Sequence, residues 1–211
     1  MPGVPTHIAV IYYSATGNLF MLASAIAQGA ESEGAEVRLR KVRDLTAEEV
    51  VAANPRWVAH REATAHIPEA TLDDLEWADG FAFGSPTRFG LPAASLKHFF
   101  DQTGGLWARK QLQDKVGTAF TSSSTSHGGL EATILAINTV LYHWGSIVLP
   151  LGYTDATVDE TGNPYGASWV SRKRSVPDEA ALATARWQGQ RLARITGAVA
   201  ALASPQTHTS D

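Results

Sequence analysis

The sequence predicts one α/β domain, a parallel sheet covered by helices on both faces. Short apolar runs rich in Val, Ile, Phe and Ala alternate with stretches of helical apolar spacing. The first change of period falls inside "IYYSATGNLFMLASAIA", where an extended run ending at Tyr13 gives way to a stripe of Leu19, Leu22, Ala23, Ile26 and Ala30. A chain of 211 residues is long enough for one core, burying roughly 70% of its unfolded surface, and short for two.

The first strand is read at His7 to Tyr13, a nearly uncharged run with β-branched and aromatic residues. "EVRLRKV" (Glu36 to Val42) alternates apolar and charged positions, as a strand at the sheet edge does. "GFAFGS" (Gly80 to Ser85), "KVGTAFTSS" from Lys115 and "GSIVLPL" from Gly145 read as three buried strands, the last two separated by the helical "LEATILAINTVLYHW". The long connection after the second strand is expected to hold helices at Ala47 to Ala53 and Leu72 to Ala78. A final helix starts near Ser175-Val176-Pro177-Asp178-Glu179, and its stripe from Leu182 to Leu202 should close one face of the sheet. The domain is taken as residues 1–203, with a disordered tail at residues 204–211.

Composition narrows the function. The formal net charge is −4 and the basic residues are scattered apart from "SRKRS" (Ser171 to Ser175), which argues against a nucleic-acid groove. The chain has no cysteine, so disulfides, thiolate nucleophiles and zinc-thiolate sites are excluded, and no histidines fall at metal-ligand spacing. No apolar run approaches the ~20 residues of a membrane span, and "MPGVPTH" lacks the features of a signal peptide, so a soluble cytoplasmic protein is expected.

In a parallel sheet the ligand lies beyond the carboxyl ends of the strands, so the loops after strands one, three and four are the place to look. The first carries Ser14, Ala15, Thr16, Gly17, Asn18 and Leu19: hydroxyl and amide donors at a helix start. Charge-assisted hydrogen bonds of about 1.5–3 kcal/mol each, with roughly 0.3–1 kcal/mol from the helix dipole, can hold a phosphate there without a lysine. Neither GxxxxGK[ST] nor a GxGxxG in the first turn is present, which argues against a P-loop or a dinucleotide-binding Rossmann half. The second loop offers Pro86, Thr87, Arg88, Phe89 and Gly90. The third, "TSSSTSHGG", offers Ser122, Ser123, Ser124, Thr125, Ser126, His127 and Gly128, an acid-free run suited to an anion or a polar planar edge.

"YYS..G" at Tyr12 to Gly17, "GSPTRFG", "DQTGGLW" at Asp101 to Trp107, the serine-rich loop and "NPYGA" at Asn163 to Ala167 together make the chain resemble the flavodoxin-like WrbA family of NAD(P)H:quinone oxidoreductases, from about Ile8 to Arg194. The resemblance implies a three-layer sandwich with a five-stranded parallel sheet in the order 2-1-3-4-5. It implies non-covalent FMN, with its phosphate on Ser14 to Leu19, its ring against Thr87 to Phe89, and its pyrimidine and ribityl side along Ser122 to Gly128. It further implies NADH or NADPH as donor and a quinone as acceptor, the hydride passing through flavin N5 in ping-pong fashion with no catalytic side chain.

In the same resemblance Trp107 shapes the quinone and nicotinamide pocket, Thr16 lies near the dinucleotide, and His143 reaches the flavin of a neighbouring subunit in a homotetramer. Read from the residues alone, Arg88 could equally form a surface salt bridge, Trp107 a core anchor and His143 a helix cap. His60, His66 and His98 are read as surface or packing residues. The chain departs from the family pattern at Ala15-Thr16, at His127 with one added loop residue, and at Trp144, where a second histidine is common. An electron-transfer flavodoxin is the alternative reading, sharing fold and FMN. A flavin-bearing scaffold is a third.

Overall fold

A computed structural model describes residues 5–172 and 175–203. The tail expected to be disordered, residues 204–211, lies outside them. In chain order the elements are β1 (His7–Tyr12), α1 (Asn18–Ser32), β2 (Glu36–Lys41), α2 (Glu48–Ala52), α3 (Pro55–Ala63), α4 (Leu72–Trp77), β3 (Gly80–Arg88) and β4 (Leu91–Pro92). There follow α5 (Ala94–Asp101), α6 (Gly104–Ala108), β5 (Val116–Ser123), α7 (Leu130–Trp144), β6 (Ile147–Val148), α8 (Ala156–Thr161), β7 (Ser168–Val170) and α9 (Glu179–Ala203).

The strands run parallel in the order β2-β1-β3-β5-β6, the flavodoxin-like order expected once the small β4 is set aside. The sheet has seven strands rather than five. One addition is β4, which pairs antiparallel with the end of β3. The other is β7: the edge strand beside β5 is split, β6 pairing with Val116 and Gly117 and β7 with Thr121 to Ser123. The chain leaves the edge after Leu149, turns at Gly152 (φ +61°), and returns at Ala167. "GSIVLPL" is therefore a strand only at Ile147–Val148.

Two apolar layers fill the faces. On one, α1 and α9 cover Ile8, Val10, Ala82 and Phe120. Their backbones touch: a Cβ on Gly29 would stand 2.0 Å from the Arg186 carbonyl oxygen, and one on Gly189 1.9 Å from that of Ile26. On the other face, α5 and α7 cover Phe81, Phe83 and Ala119. Here Trp144 is buried edge-on against Phe83 and Phe100, with ring centroids 5.8 and 5.6 Å away, so its place is in the core.

The helix α3 had no forerunner in the sequence reading. Asn54 caps it by accepting the Arg56 N–H, and Pro55 occupies its first position. The long final helix begins at Glu179, where Asp178 accepts the Ala181 N–H. Among the described residues no helix is long and apolar enough to cross a membrane.

Candidate functional site

Register sets the site. Tyr12 pairs with Gly84, Gly84 with Phe120, and Pro86 with Ser122, so the loops leaving β1, β3 and β5 emerge level at one end of the sheet. The structure brings Ser14, Ala15, Thr16, Asn18 and Leu19 of the first loop, Pro86, Thr87 and Arg88 of the second, and Ser122, Ser123 and Ser124 of the third into one cleft. Among the described residues no carboxylate lines it. Ser171, one residue past β7, joins from the returning edge strand; seeing β7 as a strand would have revealed it.

The first loop is built to accept an anion. Gly17 is left-handed (φ +103°), which lets the chain turn into α1 while the Ser14 hydroxyl accepts the Gly17 N–H at 3.1 Å. No side chain caps α1 and no acid sits in its first turn, so its leading N–H groups stay open. The Asn18 amide donates to the Ser175 carbonyl at 3.3 Å, and its buried Oδ1 has no partner among the described residues. That orphaned acceptor calls for a donor such as a ligand hydroxyl.

The second loop is a two-residue hairpin turn with Phe89 (φ 55°) and Gly90 (φ +82°) both left-handed. A phenylalanine in that region is strained, and here it leaves the ring wholly exposed at the rim. Thr87 locks the hairpin to the third loop: its hydroxyl donates to the Gly128 carbonyl and accepts the Gly90 N–H, both at 3.1 Å. Close packing also forbids a side chain at Gly129, whose Cβ would meet the Gly90 Cα at 2.7 Å. Arg88 is exposed, donates to the carbonyl of Thr87 at 3.2 Å, and has no ion pair among the described residues. Thr125, Ser126 and His127 are exposed, and Ser126 faces a separate groove beside α8 and β7.

The α2–α3 segment stands over the first loop. Asp44 ties it down, accepting from the Tyr13 hydroxyl (3.1 Å), the Trp57 indole (3.0 Å) and the Thr46 N–H (3.0 Å). His60 packs against the phosphate loop, its Nδ1 3.6 Å from where a Gly17 Cβ would be, and tilts against Phe20. Burial, helped by nearby Lys41, lowers the His60 pKa below that of free histidine. Burial raises that of Tyr13, keeping its phenol protonated.

Trp107 and His143 lie elsewhere. α7 begins beside the third loop and runs back along β5, so His143 in its last turn is about 20 Å along the helix from the cleft. Trp107 is there too, its indole donating to the His143 carbonyl at 2.9 Å. Both are exposed, and within one chain neither reaches the cleft.

Residues 6–157 match the family model described as NADPH-dependent FMN reductase. An NAD(P)H dehydrogenase (quinone) of Sinorhizobium fredii is 43% identical over 203 residues, 92% of this chain and 98% of that protein. Another from Aromatoleum aromaticum is 40% identical over 200 residues, 91% of this chain and 96% of that one. Among solved structures, the flavodoxin, WrbA-like protein from Agrobacterium tumefaciens superposes with a TM-score of 0.67 over 92% of this chain and 98% of its own, at 24% identity, a likeness of fold. With its three loops gathered at one sheet end and relatives matched over nine tenths of its length, the chain belongs to the NADPH-dependent FMN reductase family and, within it, to the WrbA family its motifs resemble.

Proposed function

We propose that this protein is an FMN-dependent NAD(P)H:quinone oxidoreductase, built as one domain over residues 1–203 and working in the cytoplasm. The observation that carries the reading is the acid-free cleft joining an uncapped helix start, Thr87 and Arg88, and the Ser122–Ser124 run. The residues fit FMN. Open N–H groups of α1 and the hydroxyls of Ser14 and Thr16 suit its phosphate, and the unpartnered Asn18 Oδ1 suits a ribityl hydroxyl. The relatives' names supply the donor and the acceptor.

Bound there, FMN would supply two-electron hydride chemistry between a nicotinamide donor and a quinone acceptor. The chain's own residues orient and neutralise. Arg88, which has no ion pair among the described residues, is the cation that would balance negative charge on the cofactor. Phe89, held out by its left-handed backbone, offers an aromatic face at the rim.

A homotetramer is part of the same proposal. Trp107 and His143 stand about 20 Å along α7 from their own cleft, so they serve a flavin only if it belongs to another subunit. The outer side of α7 carries two exposed apolar groups two turns apart, Leu135 at 46% and Tyr142 at 62% exposure, and Trp107 at 57% exposure bonds to His143 in its last turn. That is a stripe a second copy can cover.

The test is anaerobic spectroscopy. The purified protein is loaded with FMN, freed of excess, and titrated with NADH or NADPH and then benzoquinone. Bleaching of the flavin by the donor and its return with quinone is expected. Bound FMN that no donor bleaches would overturn the enzyme in favour of an electron shuttle. Sedimentation equilibrium tests assembly, a monomer overturning the tetramer.

A further inference from the structure

Beyond the phosphate loop the cleft does not end. A second cavity of about 420 Å³ opens between the start of α3 and the same loops, and Thr16, Ser124 and Ser171 line both spaces. Its volume falls within the roughly 300–1,000 Å³ of small-molecule clefts. Among the described residues the charged one lining it is Arg56, half-buried on the first turn of α3.

Several of the described cations on this side are already paired, while Arg88 in the adjoining cleft and exposed Arg172 beside Ser171 have no ion pair among the described residues. Arg38 and Arg40 share Asp74, Arg61 pairs with Glu48, and Lys41 donates to the Thr64 carbonyl. Arg56 has no ion pair and no side-chain hydrogen bond among the described residues, and no carboxylate lines the cavity. The helix start itself is not the attraction, because Asn54 already accepts the Arg56 N–H. Arg56 lines this cavity together with the Thr16 and Ser124 hydroxyls, a donor set that suits a phosphate, whereas the Ser171 hydroxyl already donates to the Ser175 carbonyl at 3.0 Å.

FMN carries one phosphate, and the open N–H groups of α1 already suit it. A quinone carries none. If the protein is an NAD(P)H:quinone oxidoreductase, on which this inference rests, the remaining phosphorylated ligand is the donor. We propose that Arg56, with Thr16 and Ser124, holds a phosphate of the ADP half of the nicotinamide dinucleotide. The group is either the diphosphate common to NADH and NADPH or the 2′-phosphate that distinguishes NADPH.

The experiment is calorimetric titration of the FMN-loaded protein with two probes, ADP and adenosine 2′,5′-bisphosphate, in wild type, Arg56→Ala and Arg56→Lys. Arg56→Ala is expected to weaken at least one probe about tenfold or more, and Arg56→Lys by less. Loss confined to the 2′,5′-bisphosphate assigns the 2′-phosphate; loss confined to ADP, or shared by both probes, assigns the diphosphate. Retained FMN shows that each variant is folded. Unchanged affinity for both probes in FMN-loaded Arg56→Ala, or no binding of either to wild type, overturns the inference alone. A wild type that cannot retain FMN overturns the functional reading and the inference with it.

Discussion

The side-chain amide of Gln188 donates to the main-chain carbonyl of Ala119 at 2.9 Å, filling the gap where the edge strand is interrupted. The ladder beside β5 runs from Ile147 N–H to the Lys115 carbonyl and from Leu149 N–H to that of Gly117. The next rung would bring Leu151 to Ala119, but the chain has turned away. Gln188 takes that rung, also donates to the Thr118 hydroxyl (2.7 Å), and accepts the N–H of returning Ala167 (2.8 Å). Gln188→Leu leaves a buried carbonyl and a buried N–H unpaired, and is expected to cost about 3 kcal/mol. Urea denaturation measures it, and a loss within ~0.5 kcal/mol would show that water takes the rung.

Packing of α1 on α9 makes a second prediction. Gly189→Ala places a methyl 1.9 Å from a carbonyl oxygen of α1, so the helices must separate at a cost of about 1–3 kcal/mol. Gly104→Ala is the contrast. Its Cβ would meet nothing within 4 Å, so it should gain roughly 0.4–1 kcal/mol by stiffening the unfolded chain. Thermal melts of both variants should move in opposite directions.

The phosphate loop gives the third. Ser14→Ala removes a hydroxyl that faces the cleft and steadies Gly17, and FMN affinity should fall about tenfold. Gly17→Ala should cost at least as much, because φ +103° is a conformation an L side chain rarely adopts. Quenching of flavin fluorescence on binding reads both. Wild-type affinity in Ser14→Ala would place the phosphate away from this loop.

What could be read in the sequence, and what could not, follows from how local each signal is. The change of period at Tyr13 to Leu19 marked β1, the loop and α1, because both periods are carried by adjacent residues. The serine-rich loop announced itself by composition. The split edge strand did not: Ile147–Val148 and Ser168–Val170 are too short to show a period, and they are joined through Gln188, far along the chain. α3 was hidden because none of its residues is fully buried, so it carries no apolar stripe. With it were hidden the placement of Arg56 and the contact of His60 with Gly17. Trp107 and His143 were legible as a pair only through family motifs, since their hydrogen bond joins two helices.

His60 carries the last prediction. Its imidazole is held against Gly17 and Phe20 with its pKa lowered, first by burial and then by Lys41. In the unfolded chain the ring titrates near pH 6.5. Between the folded and unfolded values the unfolded chain holds a proton that the folded one does not. By linkage, stability then rises with pH: the contribution is complete above about pH 6.5 and is lost as pH falls toward the folded value. His60→Gln keeps a polar side chain but cannot titrate. Its unfolding free energy should change less than wild type's between about pH 5 and 7, with the two slopes converging above that range. Measuring urea midpoints of both proteins across the range isolates the histidine from carboxylates that titrate in both. Parallel profiles would mean that the imidazole takes up its proton in place, beside the loop that receives the phosphate.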